Sequence, residues 1–259
     1  MTHPHPFPAD WIVPDWPAPA HVKAFITTRS GGFSVSPHAS FNLGLRADAD
    51  PQAAARDRAL LQQQLPQTPK WLRQVHGARV VDADAINEQS GSPDANVGDA
   101  SVARNAGTVC AIMVADCLPV LFTNRAGTRV AAAHAGWRGL AGGVLAHTVQ
   151  KLQDAGDDPA DLLAYLGPGI GPTAFEVGAD VYDAFTRTDA DARAAFVPHA
   201  PGKWLADLFM LARLALARAG VTQAQVFGGG LCTYSDAARF YSYRRDKITG
   251  RMAAFIWHE

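Results

Sequence analysis

The stretch VCAIMVADCLPVLFT, residues 109–123, reads as two short strands with a break between them. Val109 to Val114 is apolar and β-branched at several positions, Asp116, Cys117 and Pro119 interrupt the run, and Val120 to Thr123 resumes it. The pattern predicts a buried central strand that stops at Asp-Cys, where a turn can aim a side chain into a crevice. Downstream, the apolar run Val130 to Ala133 gives way to His134, Ala135 and Gly136 and then to a helical stretch from about Leu140 to Leu152. Upstream, Trp71 to Val75 and Arg79 to Val81 predict short strands on either side of His76-Gly77.

Further out, Val22 to Thr28 reads as a strand ending in Ser30-Gly31-Gly32, and Pro51 to Leu65 as a helix with proline in its first turn. Leu205, Leu208, Phe209, Ala212, Ala215, Leu216 and Ala219 fall on one helical face, and Gly220 closes that helix. Gln225 to Gly228, Phe240 to Arg244 and Met252 to Trp257 read as strands, with a turn at Thr249-Gly250. The result is a mixed α/β chain of the α+β class, without the regular βαβ repeat of a dinucleotide-binding fold. GPGIG (167–171) is not a GxGxxG string and no P-loop occurs.

With 259 residues, 48% hydrophobic and 18% charged, the chain can build a full core, and residues 1–259 are expected to form a single enzyme domain with 1–10 as a mobile tail. A net charge of -1 and the lack of any basic run of five or more give no general attraction to nucleic acid or to anionic membranes. Cys110, Cys117 and Cys232 are odd in number and widely spaced, a poor disulfide framework that points to a reducing compartment. Met1 to Asp10 lacks the layout of a secretory leader, and no apolar run is long enough to span a bilayer, so a soluble cytoplasmic protein is expected. The His3-Pro4-His5 string reads as a tail able to bind metals adventitiously.

Three residues stand at expected strand ends beside a glycine or proline: His76 in QVHG, Cys117 in ADCLPV and His134 in HAGWRG. They read as three ligands of one zinc, leaving the fourth position of a tetrahedral ion open to water or substrate. Their separations, 41 residues (76 to 117) and 17 (117 to 134), match no zinc finger and no HExxH helix, so spacing alone does not carry the reading. Taken singly, each histidine also suits a half-buried, hydrogen-bonded imidazole, and Cys117 a small buried apolar residue.

These three strings, together with FNLG (41–44), IGPTAFEVG (170–178), YSYRRD (241–246) and TGRMAAFIW (249–257), resemble the bacterial laccase-domain proteins, in order from about Ile12 to Trp257. That family has been called polyphenol oxidase, purine nucleoside phosphorylase and peptidoglycan editing factor. The resemblance implies a layered mixed β-sandwich flanked by helices. It also implies a zinc-dependent purine nucleoside phosphorylase acting on adenosine, inosine, guanosine and methylthioadenosine, with adenosine deaminase activity.

Phosphorolysis needs a phosphate held near the anomeric carbon, which calls for arginines or backbone amides. Arg29, Arg138, Arg244 and Arg245 are the candidates, each of which also suits a surface salt bridge. Asn42 is a candidate for a ribose hydroxyl or the base, or else caps a turn. Asp99 in GDAS and Asp116 are candidates for acid-base work; Asp116 also suits an acceptor for a ligand histidine's N–H, and Asp99 a loop end. Phe33, Phe41 and Phe175 are candidate stacking partners. Rival readings are a copper-dependent polyphenol oxidase, poorly served by one H-x-H in the tail, and a metal-free hydrolase with Cys117 as nucleophile. Others are a non-catalytic zinc module and an amidohydrolase editing UDP-muramyl-amino acid precursors of the cell wall.

Overall fold

The computed structural model describes residues 10–45, 49–86 and 96–259. The strands are β1 (Val22–Ile26), β2 (Val80–Asp82), β3 (Ala100–Ala103), β4 (Cys110–Val114), β5 (Leu118–Asn124), β6 (Val130–Ala135), β7 (Leu162–Leu166), β8 (Glu176–Val177), β9 (Phe196–Pro198), β10 (Trp204–Ala206), β11 (Val226–Gly228) and β12 (Met252–His258). The helices are α1 (Pro51–Gln62), α2 (Trp137–Ala141), α3 (Val144–Asp154), α4 (Ala179–Thr186), α5 (Leu208–Arg218) and α6 (Tyr243–Asp246). The tail and its His3-Pro4-His5 string lie outside the described residues, apart from Asp10.

Alternation along the strands builds the layers. A six-stranded sheet runs β11-β7-β5-β6-β3-β2 and a three-stranded sheet runs β1-β12-β4. In the smaller sheet, Ile112, Val114, Ala254 and Ile256 point toward Leu121, Val130, Ala132 and Tyr165 of the larger one, forming the core between sheets. Ala253, Phe255 and Trp257, with Phe25 of β1 beside them, face the other way, onto Phe41 of the loop after β1 and Leu61 of α1. The far face of the large sheet, with Val120, Phe122, Ala131, Ala133 and Ala164, packs on α2, α3 and α5. The order is therefore helix, sheet, sheet, helices: an α+β sandwich with its helices outside. Burying a Phe or Leu of these faces is worth about 1.5–3 kcal/mol each. A small sheet, β8-β10-β9, extends the α5 side.

Several expectations need correction. β4 is an edge strand of its sheet, not a central one. Its outer edge is covered by residues 70–74, which make isolated bridges (Lys70 with Cys110, Arg73 with Val97) instead of the expected strand from Trp71 to Val75. The Gln74 side chain takes the place of main chain there, accepting from Met113 N–H at 2.8 Å and donating to Met113 O at 2.9 Å. Pro119 does not break a strand but lies within β5, where its carbonyl accepts from Gly167 N–H at 2.9 Å.

The helical stretch from Leu140 to Leu152 is interrupted at Gly142-Gly143, with Gly143 at φ 89°. Leu205 belongs to β10, and α5 starts later, where the Asp207 side chain caps Met210 N–H. Phe240 to Arg244 is not a strand: Ser242 accepts from Arg245 N–H and starts the short helix α6.

Candidate metal centre

Cys117 immediately precedes β5 and His134 lies in β6, the antiparallel neighbour, whose register sets Pro119 opposite His134 and Leu118 opposite Ala135. Continuing that register by one residue places Cys117 across from Gly136. His134 shares its strand face with Val130 and Ala132, and Cys117 with Leu121, so both side chains point into the layer between the sheets. His76 arrives from the loop before β2, in the left-handed conformation at φ 59°. One ligand atom from each of His76, Cys117 and His134 lies within 4.8 Å of the others. Among the described residues no fourth His, Cys, Asp or Glu joins them.

Glycines let the three strings approach. A Cβ on Gly136 would stand 2.8 Å from Cys117 Sγ and 3.3 Å from His76 Cδ2, and one on Gly139 would stand 2.6 Å from Gly77 O. This explains Gly136 and Gly139, the two glycines of HAGWRG, as close-packing positions; a Cβ on Gly77 of QVHG would meet nothing nearer than 3.6 Å. His134 is 3% exposed, Cys117 half-buried and His76 exposed, so the cluster opens to solvent on the His76 side.

Asp99, fully buried, gathers the loop and the strand: it accepts Val75 N–H at 3.1 Å, His76 N–H at 2.9 Å, Gly77 N–H at 2.7 Å and the His134 ring at Nδ1, 2.8 Å. Burial pushes its carboxyl up, but the hydrogen bonds from His134, Gly77 and Val75 outweigh this and hold it below the usual range. Burial likewise raises the Cys117 thiol, and the charge and hydrogen bonds of His134 and His76 overcome it, drawing the thiol down to about 6. His134 is raised to about 9, since the Cys117 thiolate and Asp99 outweigh its burial.

Two imidazoles and a readily ionised thiol, with His134 Nδ1 engaged so that Nε2 is left for an ion, offer two nitrogens and one sulfur, which fit a tetrahedral site for a borderline or soft metal. The donor set suggests metal binding and leaves the ion's identity open.

The trio lines a cavity of about 790 Å³ together with Arg58, Trp71, Arg73, Phe175, Arg244 and Arg251. Of the arginines expected from sequence, only Arg244 reaches it; it lies 5.3 Å from the Phe175 ring centre and donates to Glu176 O at 2.7 Å. Arg29 is spent on the Ala39 and Ala237 carbonyls and on the Tyr241 ring, Arg245 on Asp246 and three carbonyls, and exposed Arg138 lies over Trp137 away from the cavity.

Asn42 is buried outside the lining; its side chain accepts from Gly44 and Arg251 N–H at 2.9 and 2.8 Å and donates to Gly44 O, so it holds the FNLG loop. The two acids exchange parts. Asp99 takes the histidine contact expected of Asp116 and, buried beneath the trio, does not line the cavity as an acid-base group would. Asp116 does line it, with both oxygens engaged by Thr233 and Arg244. Phe175 lines the cavity, Phe41 is core, and Phe33 is exposed on the loop below Arg56.

Sequence reasoning missed Arg58, Arg73 and Arg251. Arg251 stands inside the quoted TGRMAAFIW string, and Arg58 sits beside buried Asp57 on the core-facing side of α1, an unusual place for two charges.

Comparisons with known proteins bear on this site. The chain is 54% identical over 248 residues to a purine nucleoside phosphorylase of Pseudomonas aeruginosa, covering 95% of this chain and 98% of that one. It is 52% identical over 249 residues to the purine nucleoside phosphorylase YfiH of Escherichia coli, with the same coverage. Among solved structures, Neisseria meningitidis protein NMB0706 superposes with a TM-score of 0.88 at 49% identity, covering 96% of this chain and 99% of that one. YlmD from Geobacillus stearothermophilus gives 0.81 at 32% identity, with 93% of each covered. With residues 23–259 matched by its sequence profile, the chain belongs to the family described as multi-copper polyphenol oxidoreductase laccase.

Proposed function

We propose that the chain is a zinc-dependent purine nucleoside phosphorylase, accepting adenosine, inosine, guanosine and methylthioadenosine and also deaminating adenosine. The observation that carries the reading is that the His-Cys-His trio and Arg244 share one cavity with aromatic walls. Relatives named as purine nucleoside phosphorylases support an enzyme acting on small molecules.

When bound by His76, Cys117 and His134, zinc would supply a Lewis acid in the cavity. The chain supplies the rest. Arg58, Arg73, Arg244 and Arg251 line the cavity, and Arg244 has N–H groups beyond its contact with Glu176 O, so an anionic co-substrate is favoured. Phe175, Trp71 and Tyr243 offer aromatic surfaces for a base. In the reaction a phosphate oxygen bonds to the anomeric carbon while the carbon–nitrogen bond breaks, its electron pair leaving with the purine, which takes up a proton. The products are ribose 1-phosphate and free base. Arg244 is the residue assigned to phosphate, since its contact with Glu176 O leaves further N–H groups for an anion.

The test is to incubate zinc-loaded protein with inosine or adenosine, with and without phosphate. Phosphate-dependent release of base and ribose 1-phosphate is expected, and ammonia from adenosine would report the deaminase. No base release at full zinc occupancy would refute the proposal. The depressed Cys117 thiol also favours a second reading, a metal-free cysteine hydrolase. Turnover surviving complete removal of metal would select it.

A further inference from the structure

We infer that Asp99 is a positioning residue that sets the metal site before any ion arrives. Two ligands come from separate parts of the fold: His134 from the buried sheet, and His76 from a loop at the solvent-exposed mouth. One carboxylate joins them. Its Oδ1 is shared by the His134 ring and His76 N–H, and its Oδ2 by the N–H groups of Val75 and Gly77.

Three consecutive amides directed at one carboxylate fix the path of the chain through His76, which holds a left-handed backbone that a β-carbon disfavours. The same carboxylate keeps the proton of His134 on Nδ1 and turns Nε2 toward Cys117 and His76. Asp99 is in turn tied at its own main chain, accepting from His134 N–H at 2.6 Å and donating to Arg79 O at 3.0 Å. The cross-tie is therefore rigid at its base, and His76 is the one ligand that depends on it for both place and conformation.

This assigns Asp99 neither metal contact nor proton transfer. His76 is the exposed partner, so weakening the tie should act mainly on release of the ion past His76. In Asp99→Asn, an amide nitrogen must face either the backbone donors or the imidazole, and at least one tie is lost.

The experiment measures zinc affinity by chelator competition and zinc release by stopped flow, on protein shown to be folded by circular dichroism. Asp99→Asn should bind zinc about 10–100-fold more weakly, chiefly through faster release. Its cobalt(II) spectrum should depart from the wild-type tetrahedral form. Zinc affinity and release equal to wild type in folded D99N would overturn the inference. A second measurement needs no variant. In zinc-free wild-type protein, the amides of residues 75–77 should already resist hydrogen exchange, and His134 should show a retained Nδ1–H by nitrogen NMR. Free exchange of those amides until zinc is added would show that the ion, not Asp99, shapes the site.

Discussion

The carboxylate of Asp116 accepts the main-chain N–H of Arg244 at 2.6 Å, while its other oxygen takes the Thr233 hydroxyl at 2.6 Å. Asp116 is the neighbour of Cys117, holds φ at 87°, and accepts Ile170 N–H on its carbonyl. One residue thus fixes the distance between the metal side of the cavity and the short helix that carries Tyr243 and Arg244.

Asp116→Asn preserves shape but replaces one acceptor oxygen with a donor, at a cost on the scale of about 1.5–3 kcal/mol for a hydrogen bond to a charged group. If Arg244 holds phosphate, the KM for phosphate should rise about tenfold or more, with zinc content and the KM for inosine close to wild type. Varying each substrate in turn and counting zinc per chain checks this. Equal rises in both KM values, or loss of zinc, would count against the coupling.

Gly139→Ala separates packing at the site from helix propensity. Alanine favours α2 by about 1 kcal/mol over glycine, yet its Cβ would stand 2.6 Å from Gly77 O, and such overpacking costs about 1–3 kcal/mol. The two effects nearly offset in the melting temperature, while the displaced His76 loop should weaken zinc binding severalfold. Gly202→Ala is the control: at φ 68° it is strained, but nothing lies within 4 Å of the new Cβ. It should lower stability by about 1 kcal/mol and leave zinc affinity unchanged. Calorimetry and chelator competition on both variants read the difference.

The trio was legible because it obeys local rules. Each residue stands beside a glycine or proline at an expected strand end, in strings that resemble a known family; in the fold, the alternation of β6 and the run into β5 then bring His134 and Cys117 to one face, with Gly136 and Gly139 allowing the close approach. The arginines were not. Arg29 and Arg245 look in sequence like phosphate binders, but their N–H groups are consumed by carbonyls such as Ala237 and Thr233, contacts that only the folded chain creates. Arg58 reaches the cavity because the Leu43 carbonyl, 15 residues away, and the Trp71 ring hold it there. The exchange between Asp99 and Asp116 has the same origin, since both follow or precede a strand and differ only in which segment crosses them. The expected strand at 71–75 failed because a side chain, Gln74, supplies the edge contacts that periodicity attributes to main chain.

In metal-free protein the Cys117 thiol at about 6 and His134 at about 9 describe one thiolate–imidazolium pair. For Cys117, whose folded value lies below the ordinary 9.0, the stabilisation is complete above pH 9 and fades as pH falls through about 6. For His134, raised above the ordinary 6.5, it is complete below 6.5 and fades as pH rises through about 9. The pair therefore stabilises the metal-free fold between about pH 6 and pH 9. Iodoacetamide should trap the thiolate with a midpoint near pH 6, measured by mass spectrometry in a Cys232→Ser background. Cys110, pushed up to about 12 by burial, stays silent. Adding His134→Ala should move the midpoint upward toward 9, because the charge that sustained the thiolate is gone. Zinc should block the labelling until acid returns protons to the ligands and releases the ion. A midpoint near 9 in the protein with His134 intact would mean that the imidazoles do not activate this sulfur, and the thiolate donor assigned to the metal would lose its physical basis.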